Sequence, residues 1–211
     1  MPRLLIPMLL ALACPTLAGG DPTPYSWWRL NEQAGAFALE EMIGYYGFYR
    51  GDPALGLPAA ADPCTNTAVG FDGSDDRVVV SSFNDLLDMG TGSFSVLVRF
   101  RRATDAPAPM KLVNKGLTLA GTPQNAGYGI RIRDGVVEFS VSDGAGVTTV
   151  RTDEPAVDAW HLVAGVLDRG AGEARLYVDP VGVAPASVVA VTGLGSVDTS
   201  IDFAIGALDR S

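Results

Sequence analysis

Residues 160–179 read WHLVAGVLDRGAGEARLYVD, and the second half of that stretch changes character at every residue. Ala174, Leu176 and Val178 fall on one side of an extended chain, and Glu173, Arg175, Tyr177 and Asp179 on the other. Trp160–Leu167 is apolar enough to be buried on both faces. Between them, Asp168-Arg169-Gly170-Ala171-Gly172 reads as a tight connection, because Gly and Asp tolerate the positive φ of short hairpin loops. Phe94–Arg101 repeats the alternation, with Phe94, Val96, Val98 and Phe100 on the inner side. No helical crossover separates these segments. They are expected to pair antiparallel and to pack sheet on sheet.

The remaining chain supports an all-β reading. Tyr25–Leu30 reads as a short aromatic strand, and Phe37–Ile43 has helical character until Gly44, Gly47 and Gly51 interrupt it. From there to Thr67 the chain is rich in Gly, Pro and Ala and is expected to be a long surface loop. Ala68–Phe71 and Arg77–Val80 flank an acidic turn, and Phe83–Leu87 reads as one helical turn. Leu112–Lys115 is a short strand. Tyr128, Ile130 and Ile132 alternate with Gly129, Arg131 and Arg133; Asp134-Gly135 is a hairpin signal, and Val137, Phe139 and Val141 face inward on the returning strand. Val147–Arg151, Val188–Val191 and Phe203–Ala207 follow. About a dozen short strands at this spacing predict a sandwich or barrel.

Composition and charge narrow the class. A chain of 211 residues with 47% hydrophobic content suits one sizeable β domain. Its net charge of −9 argues against nucleic acid or anionic lipid as a partner. Met1-Pro2-Arg3, the apolar run Leu4–Ala13 and the small residues of Thr16-Leu17-Ala18 read as an export signal over residues 1–18. That run is shorter than the ~20 residues that span a bilayer, and no later segment is long and apolar enough to do so. The expected location is outside the cell or on its surface. Cys14 would leave with the signal, so Cys64 has no disulfide partner; lipoprotein anchoring at Cys14 is the lesser alternative, since Ala11 stands where a leucine would be expected.

The ordered set WWRLNE, GYYGFYRGDPALG, AVGFDGSDDRVVV, SFSVLVRFR, LVNKG, YGIRIRDGVVEFSV, DAWHLVAGVLDR and RLYVD resembles the laminin G-like, concanavalin A-like jelly-roll domains of secreted bacterial proteins. The resemblance runs from Tyr25 to the C-terminus. It implies a two-sheet antiparallel jelly-roll sandwich over residues 19–211. It also implies a module that binds glycans or other extracellular ligands, often beside calcium. Three features depart from the pattern. Leu39-Glu40-Glu41-Met42-Ile43 replaces an Asp- and Gly-rich loop, Pro180 follows RLYVD where the family often has Gly, and an Ile-Asp-Glu-Val-like closing strand is missing before Ser211. The resemblance therefore implies a domain lacking its last strand, with further sequence and further domains C-terminal to it.

Candidate sites follow from residue chemistry. Glycosidases of this fold need carboxylates at i, i+2 and i+4 on one strand face, and Glu138 stands alone between Val137 and Phe139. His161 is the single histidine, so a triad could be built only around it; it matches the family's Trp-His pair, which reads as structural, and one histidine with one mature cysteine does not support a zinc site. The expectation is a non-catalytic module. Asp72, Asp75 and Asp76 in one turn are the candidate calcium ligands. Trp27 and Trp28, adjacent on a strand, should face opposite ways and leave one ring outside the core. Tyr45, Tyr46, Phe48 and Tyr49 crowd a loop where they could rim a ligand. Tyr177, with Arg131, Arg133 and Arg175, is expected to line one solvent-facing sheet. The ligand-binding candidates are thus Tyr45, Tyr46, Tyr49, Arg131 and Tyr177. The expected partner is an extracellular glycan. The alternative is a structural or adhesion domain that meets a surface protein.

Overall fold

A computed structural model describes residues 4–6, 23–59, 67–104, 109–117, 125–179 and 184–206. The remainder of the expected export segment, Cys14, Cys64, Pro180 and the last residues before Ser211 lie outside the described residues. The strands are β1 (Leu4–Ile6), β2 (Phe37–Leu39), β3 (Tyr46–Arg50), β4 (Ala54–Pro58), β5 (Thr67–Phe71), β6 (Arg77–Val80), β7 (Phe94–Phe100) and β8 (Met110–Lys115). They continue with β9 (Ala126–Arg133), β10 (Val136–Asp143), β11 (Val147–Asp153), β12 (His161–Asp168), β13 (Glu173–Val178), β14 (Ser187–Ala190) and β15 (Phe203–Ile205). The fold is an antiparallel two-layer sandwich of jelly-roll type. One layer is an eight-stranded sheet of order β11-β10-β9-β8-β15-β6-β3-β2. Opposite it lies β14-β13-β12-β7, and β1, paired on β5, comes alongside β7.

Alternation decides which residues enter the space between the layers. Val137, Phe139 and Val141 of β10 are buried there, as are Ile130 and Ile132 of β9 and Ala174 and Leu176 of β13. In β12, His161, Val163, Gly165 and Leu167 take the inner positions, opposite Phe100, Val98, Val96 and Phe94 of β7. Leu162 and Val166 are only half-buried, so β12 has one core face rather than the two expected from its apolar run. Trp160 lies outside the strand, half-buried, with the guanidinium groups of Arg99 and Arg101 each 5.9 Å from its ring centroid. The layers meet where Phe139 packs against Gly165. A Cβ at residue 165 would stand 2.3 Å from Phe139 Cδ2.

The N-terminal third departs furthest from the expectations. Tyr25–Leu30 is not a strand; it contributes one bridge, Trp28 to Glu40. Both tryptophans are buried. Trp28 stacks on Phe203 at 5.9 Å, and Trp27 lies under Arg29, whose guanidinium is 4.3 Å from the ring. Phe37–Leu39 forms β2 instead of a helix. The reason is Glu40, buried at 6% exposure, whose carboxylate accepts the backbone N–H groups of Trp27, Met42, Ile43 and Gly44. Those bonds hold a turn where a helix would have continued, and they take the place of the expected Asp-rich loop. Tyr46–Arg50 is β3 rather than a loop, and β4 interrupts the expected long loop before Thr67.

Gly165→Ala should cost about 1–3 kcal/mol of stability through overpacking, since the ring it would strike is itself fully buried. Chemical denaturation would measure it, and an unchanged midpoint would show that the layers can part. Glu40→Ala, which strands four N–H groups, should cost about 2–3 kcal/mol by the same assay.

Candidate functional site

The face of the eight-stranded sheet that turns away from the core carries a continuous row of side chains. Register links Phe37 to Phe48, Phe48 to Val79, Val79 to Ala204 and Ala204 to Asn114. It continues from Asn114 to Gly129, Gly129 to Ser140 and Ser140 to Thr149. Each pair is directly opposite across two strands, so the eight residues share one face and one line. The row is aromatic at the β2 edge, small in the middle and hydroxylic at the β11 edge.

The aromatic end is open to solvent. Phe37 is 46% exposed, Tyr46 50% and Leu39 58%. Phe37, Tyr46 and Phe48 form a cluster with centroids 5.0–5.4 Å apart, and Arg50 lies 5.2 Å from the Phe48 ring. An exposed aromatic group of this kind on a sheet edge invites a partner with an apolar face. In the middle, the Oδ1 of Asn114 is hidden from solvent and has no hydrogen-bond partner among the described residues. It lies over Gly129, where an added Cβ would stand 3.0 Å from that oxygen and 2.9 Å from the Val113 carbonyl. At the far end Ser140 Oγ and Thr149 Oγ1 are hydrogen-bonded at 2.9 Å.

Beside the hydroxyls, Glu138 is 3% exposed and gathers arginines. It accepts hydrogen bonds from Arg131 Nε and, at 2.7 Å, from Arg151 Nε, and Arg133 approaches to 3.8 Å. Burial alone would raise the Glu138 carboxyl. The hydrogen bonds and charges of Arg151 and Arg131 outweigh it and hold the group below the usual glutamate range.

The candidates named from sequence end up in different places. Tyr46 belongs to the aromatic cluster, and Tyr45 is exposed at the turn leading into β3. Tyr49 points the opposite way: it packs against the core, and its hydroxyl donates to Glu32 Oε2 at 2.7 Å. Burial, with the Glu32 hydrogen bond and charge, pushes its phenol well up. Tyr49 is therefore a core residue, because on a strand it must face away from Tyr46 and Phe48 as parity dictates. Arg131 lies on the outer face beside Glu138, nearly buried. Tyr177 and Arg175 are on β13 in the opposite layer, so they do not join Arg131 and Arg133. Phe37, Leu39, Asn114 and Gly129 were not singled out from sequence. The two-residue spacing of Phe37 with Leu39 and of Tyr46 with Phe48 was the available signal.

Asp72, Asp75 and Asp76 do converge, with one oxygen from each within 4.8 Å of the others. Asp76 also has a structural task. Its Oδ1 accepts the Asp52 N–H at 2.7 Å and its Oδ2 the Asp72 N–H at 3.0 Å. Those bonds tie the turn to residues 51–52, where Gly51 takes φ +77° and passes against Asp76. His161 has both ring nitrogens engaged. Nε2 donates to the Ala156 carbonyl at 2.7 Å, and Nδ1 meets the Asp179 carboxylate. Asp179 also accepts the Leu162 N–H at 2.8 Å, so the histidine anchors the start of β12 to the end of the hairpin.

Residues 72–211 match the laminin G-type model of the concanavalin A-like lectin/glucanases superfamily. The chain belongs to this family. The match begins later than the resemblance read from Tyr25. No curated protein sequence matches the chain. Among solved structures, the binding domain of Paraclostridial Mosquitocidal Protein 1 has a similar fold, with a TM-score of 0.51 at 12% identity. That likeness covers 68% of this chain and 37% of the other, so the chain spans well under two thirds of that protein's length. The CBM40 module of Ruminococcus gnavus IT-sialidase aligns at a TM-score of 0.42 and 16% identity, over 56% of this chain and 64% of that one. Mouse laminin alpha1 domains LG4-5 align at 0.37 and 15%, over 81% and 56%. Among the described residues no helix is long and apolar enough to cross a membrane.

Glu138→Gln should lower stability near neutral pH by about 2 kcal/mol, from lost charge-assisted bonds. Because the folded carboxyl lies below its ordinary value of about 4.3, its stabilisation is present above that value and is lost as pH falls through the folded value. The gap between variant and parent in thermal melts should therefore narrow in acid. A gap that stays constant below about pH 3 would exclude this role.

Proposed function

We infer that the chain is a non-catalytic glycan-binding module whose binding surface is the outer face of the eight-stranded sheet. The carrying observation is the row that joins an exposed aromatic cluster to a hidden, unpartnered acceptor and a pair of hydroxyls. A sugar ring has an apolar face that can lie on Phe37 and Tyr46, and further units of the same glycan would follow the row towards Asn114, four strand spacings or ~19 Å from Phe37. Family membership supports the reading, since domains of this fold are usually extracellular binding modules, and His161 is held at both nitrogens in a structural arrangement. The similar fold in Paraclostridial Mosquitocidal Protein 1 is likewise that protein's binding domain.

Calcium remains a separate proposal at Asp72, Asp75 and Asp76. These residues offer three oxygens of the six to eight that the ion takes, so peptide carbonyls and water would complete its shell.

Two measurements test these readings. On a glycan array the protein should give defined hits. Phe37→Ala and Tyr46→Ala should each weaken the hit about tenfold, the worth of one aromatic contact. A blank array accompanied by adhesion to cell-surface protein would favour the structural alternative. Excess calcium over chelator should raise the melting temperature, and a shift of zero would remove the metal.

A further inference from the structure

A second row runs beside the first on the same outer face. Arg77 and Arg50 are opposite one another on β6 and β3, two residues from Val79 and Phe48. Lys111 and Arg131 are opposite on β8 and β9, and Arg131 continues to Glu138 and Glu138 to Arg151. Arg131, Glu138 and Arg151 are again each two residues from their counterparts Gly129, Ser140 and Thr149. Lys111 is three from Asn114, because the register slips between Lys111 and Val113. A two-residue step keeps the face and shifts the position by about 7 Å along the strand.

This row holds five cations and one carboxylate, on a chain whose net charge is −9. The acids nearest in sequence are Asp52, Asp75, Asp76, Asp134 and Asp153: Asp76 is buried and accepts the Asp52 and Asp72 N–H groups, and the others lie at strand ends or in the turns beyond them. Arg50 is exposed, and the side chain of Arg151 is 56% exposed while it pairs with Glu138. From β3 to β11 the row crosses six strand spacings, or ~29 Å. A band that long matches an extended polymer better than a single sugar.

We propose that this band selects acidic polysaccharide: a carboxylated or sulfated glycan lies along the first row, with its anionic groups against Arg50, Arg77, Lys111 and Arg151. The proposal rests on the glycan-binding reading and gives it a substrate class. The aromatic end supplies contact with any sugar ring, and the basic row supplies discrimination by charge. The net negative charge of the molecule hides the band from any reckoning by composition, because screening confines each charge's reach to ~8 Å at physiological salt.

The test uses matched pairs of probes on the full chain: dextran sulfate with dextran, and polygalacturonate with its methyl ester. Calorimetry or affinity electrophoresis should show the acidic member of at least one pair bound tenfold or more tightly than its neutral partner. That ratio should fall towards one in Arg50→Gln combined with Arg151→Gln, and in the parent at high salt, with melting curves confirming that the variant is folded. Tyr46→Ala should weaken both members of a pair. Equal binding of acidic and neutral members overturns the charge selection and leaves the glycan site standing. So does a preference that survives the arginine changes. Absence of binding to all four probes, with a blank glycan array, overturns both readings. Single-stranded DNA bound as tightly as the acidic glycans would make the band a general polyanion face and overturn the proposal.

Discussion

Phe139 rests on Gly165, and the make-up of the sheet's outer face is a consequence of that contact. The inner position of Phe139 sets the parity of its strand, so Val137 and Val141 go inward and Glu138, Ser140 and Ser142 go outward. Hydrogen-bonded register then passes this parity from strand to strand across the sheet. By the far edge it has decided that Phe37, Tyr46 and Phe48 face solvent while Ala38, Gly47 and Tyr49 face the core. Glycine is required at residue 165 by space rather than by backbone angle, since any Cβ would meet the ring. A slip of one residue anywhere along this chain of pairings would bury the arginines and expose the valines.

The polar groups that hold this face in place are mostly buried acceptors with several donors. Glu40 collects four N–H groups and fixes the turn that delivers β2 and β3, which carry the aromatic cluster. Asp76 collects two and fixes the turn before Arg77. Glu138 collects arginine side chains, which keeps Arg131 and Arg151 extended along the sheet instead of loose in solvent. Each carboxylate accepts several donors at once, and charge-assisted hydrogen bonds of this kind are the strong ones. Rigidity at these points would favour the proposed binding, because a platform that need not be ordered on contact gives up less entropy.

Much of the architecture was legible in residues that repeat every second position. Tyr128-Ile130-Ile132 and Val137-Phe139-Val141 announced a hairpin around Asp134-Gly135, and it is present as β9 and β10. The N-terminal third was misread for a local reason. Glycines at 44, 47 and 51 look like loop, yet Gly47 sits inside a strand where a side chain would strike Val78 at 2.4 Å. Trp27 and Trp28 were assigned to two faces by strand parity, but the segment is not a strand, and both rings are buried. Tyr177 and Arg131 were grouped because both alternate outward, although outward from one layer is the opposite direction from outward on the other.

The sequence by itself determined the class of fold and the inner face of most strands. These depend on neighbours two or three residues away, and periodicity reports them directly. Only the tertiary structure decided which outward residues share a line. Phe37, Asn114, Gly129 and Thr149 are scattered along the chain, and so are Arg50, Lys111 and Arg151. They become rows because hydrogen-bonded register, which no local pattern encodes, brings distant strands side by side at about 4.8 Å.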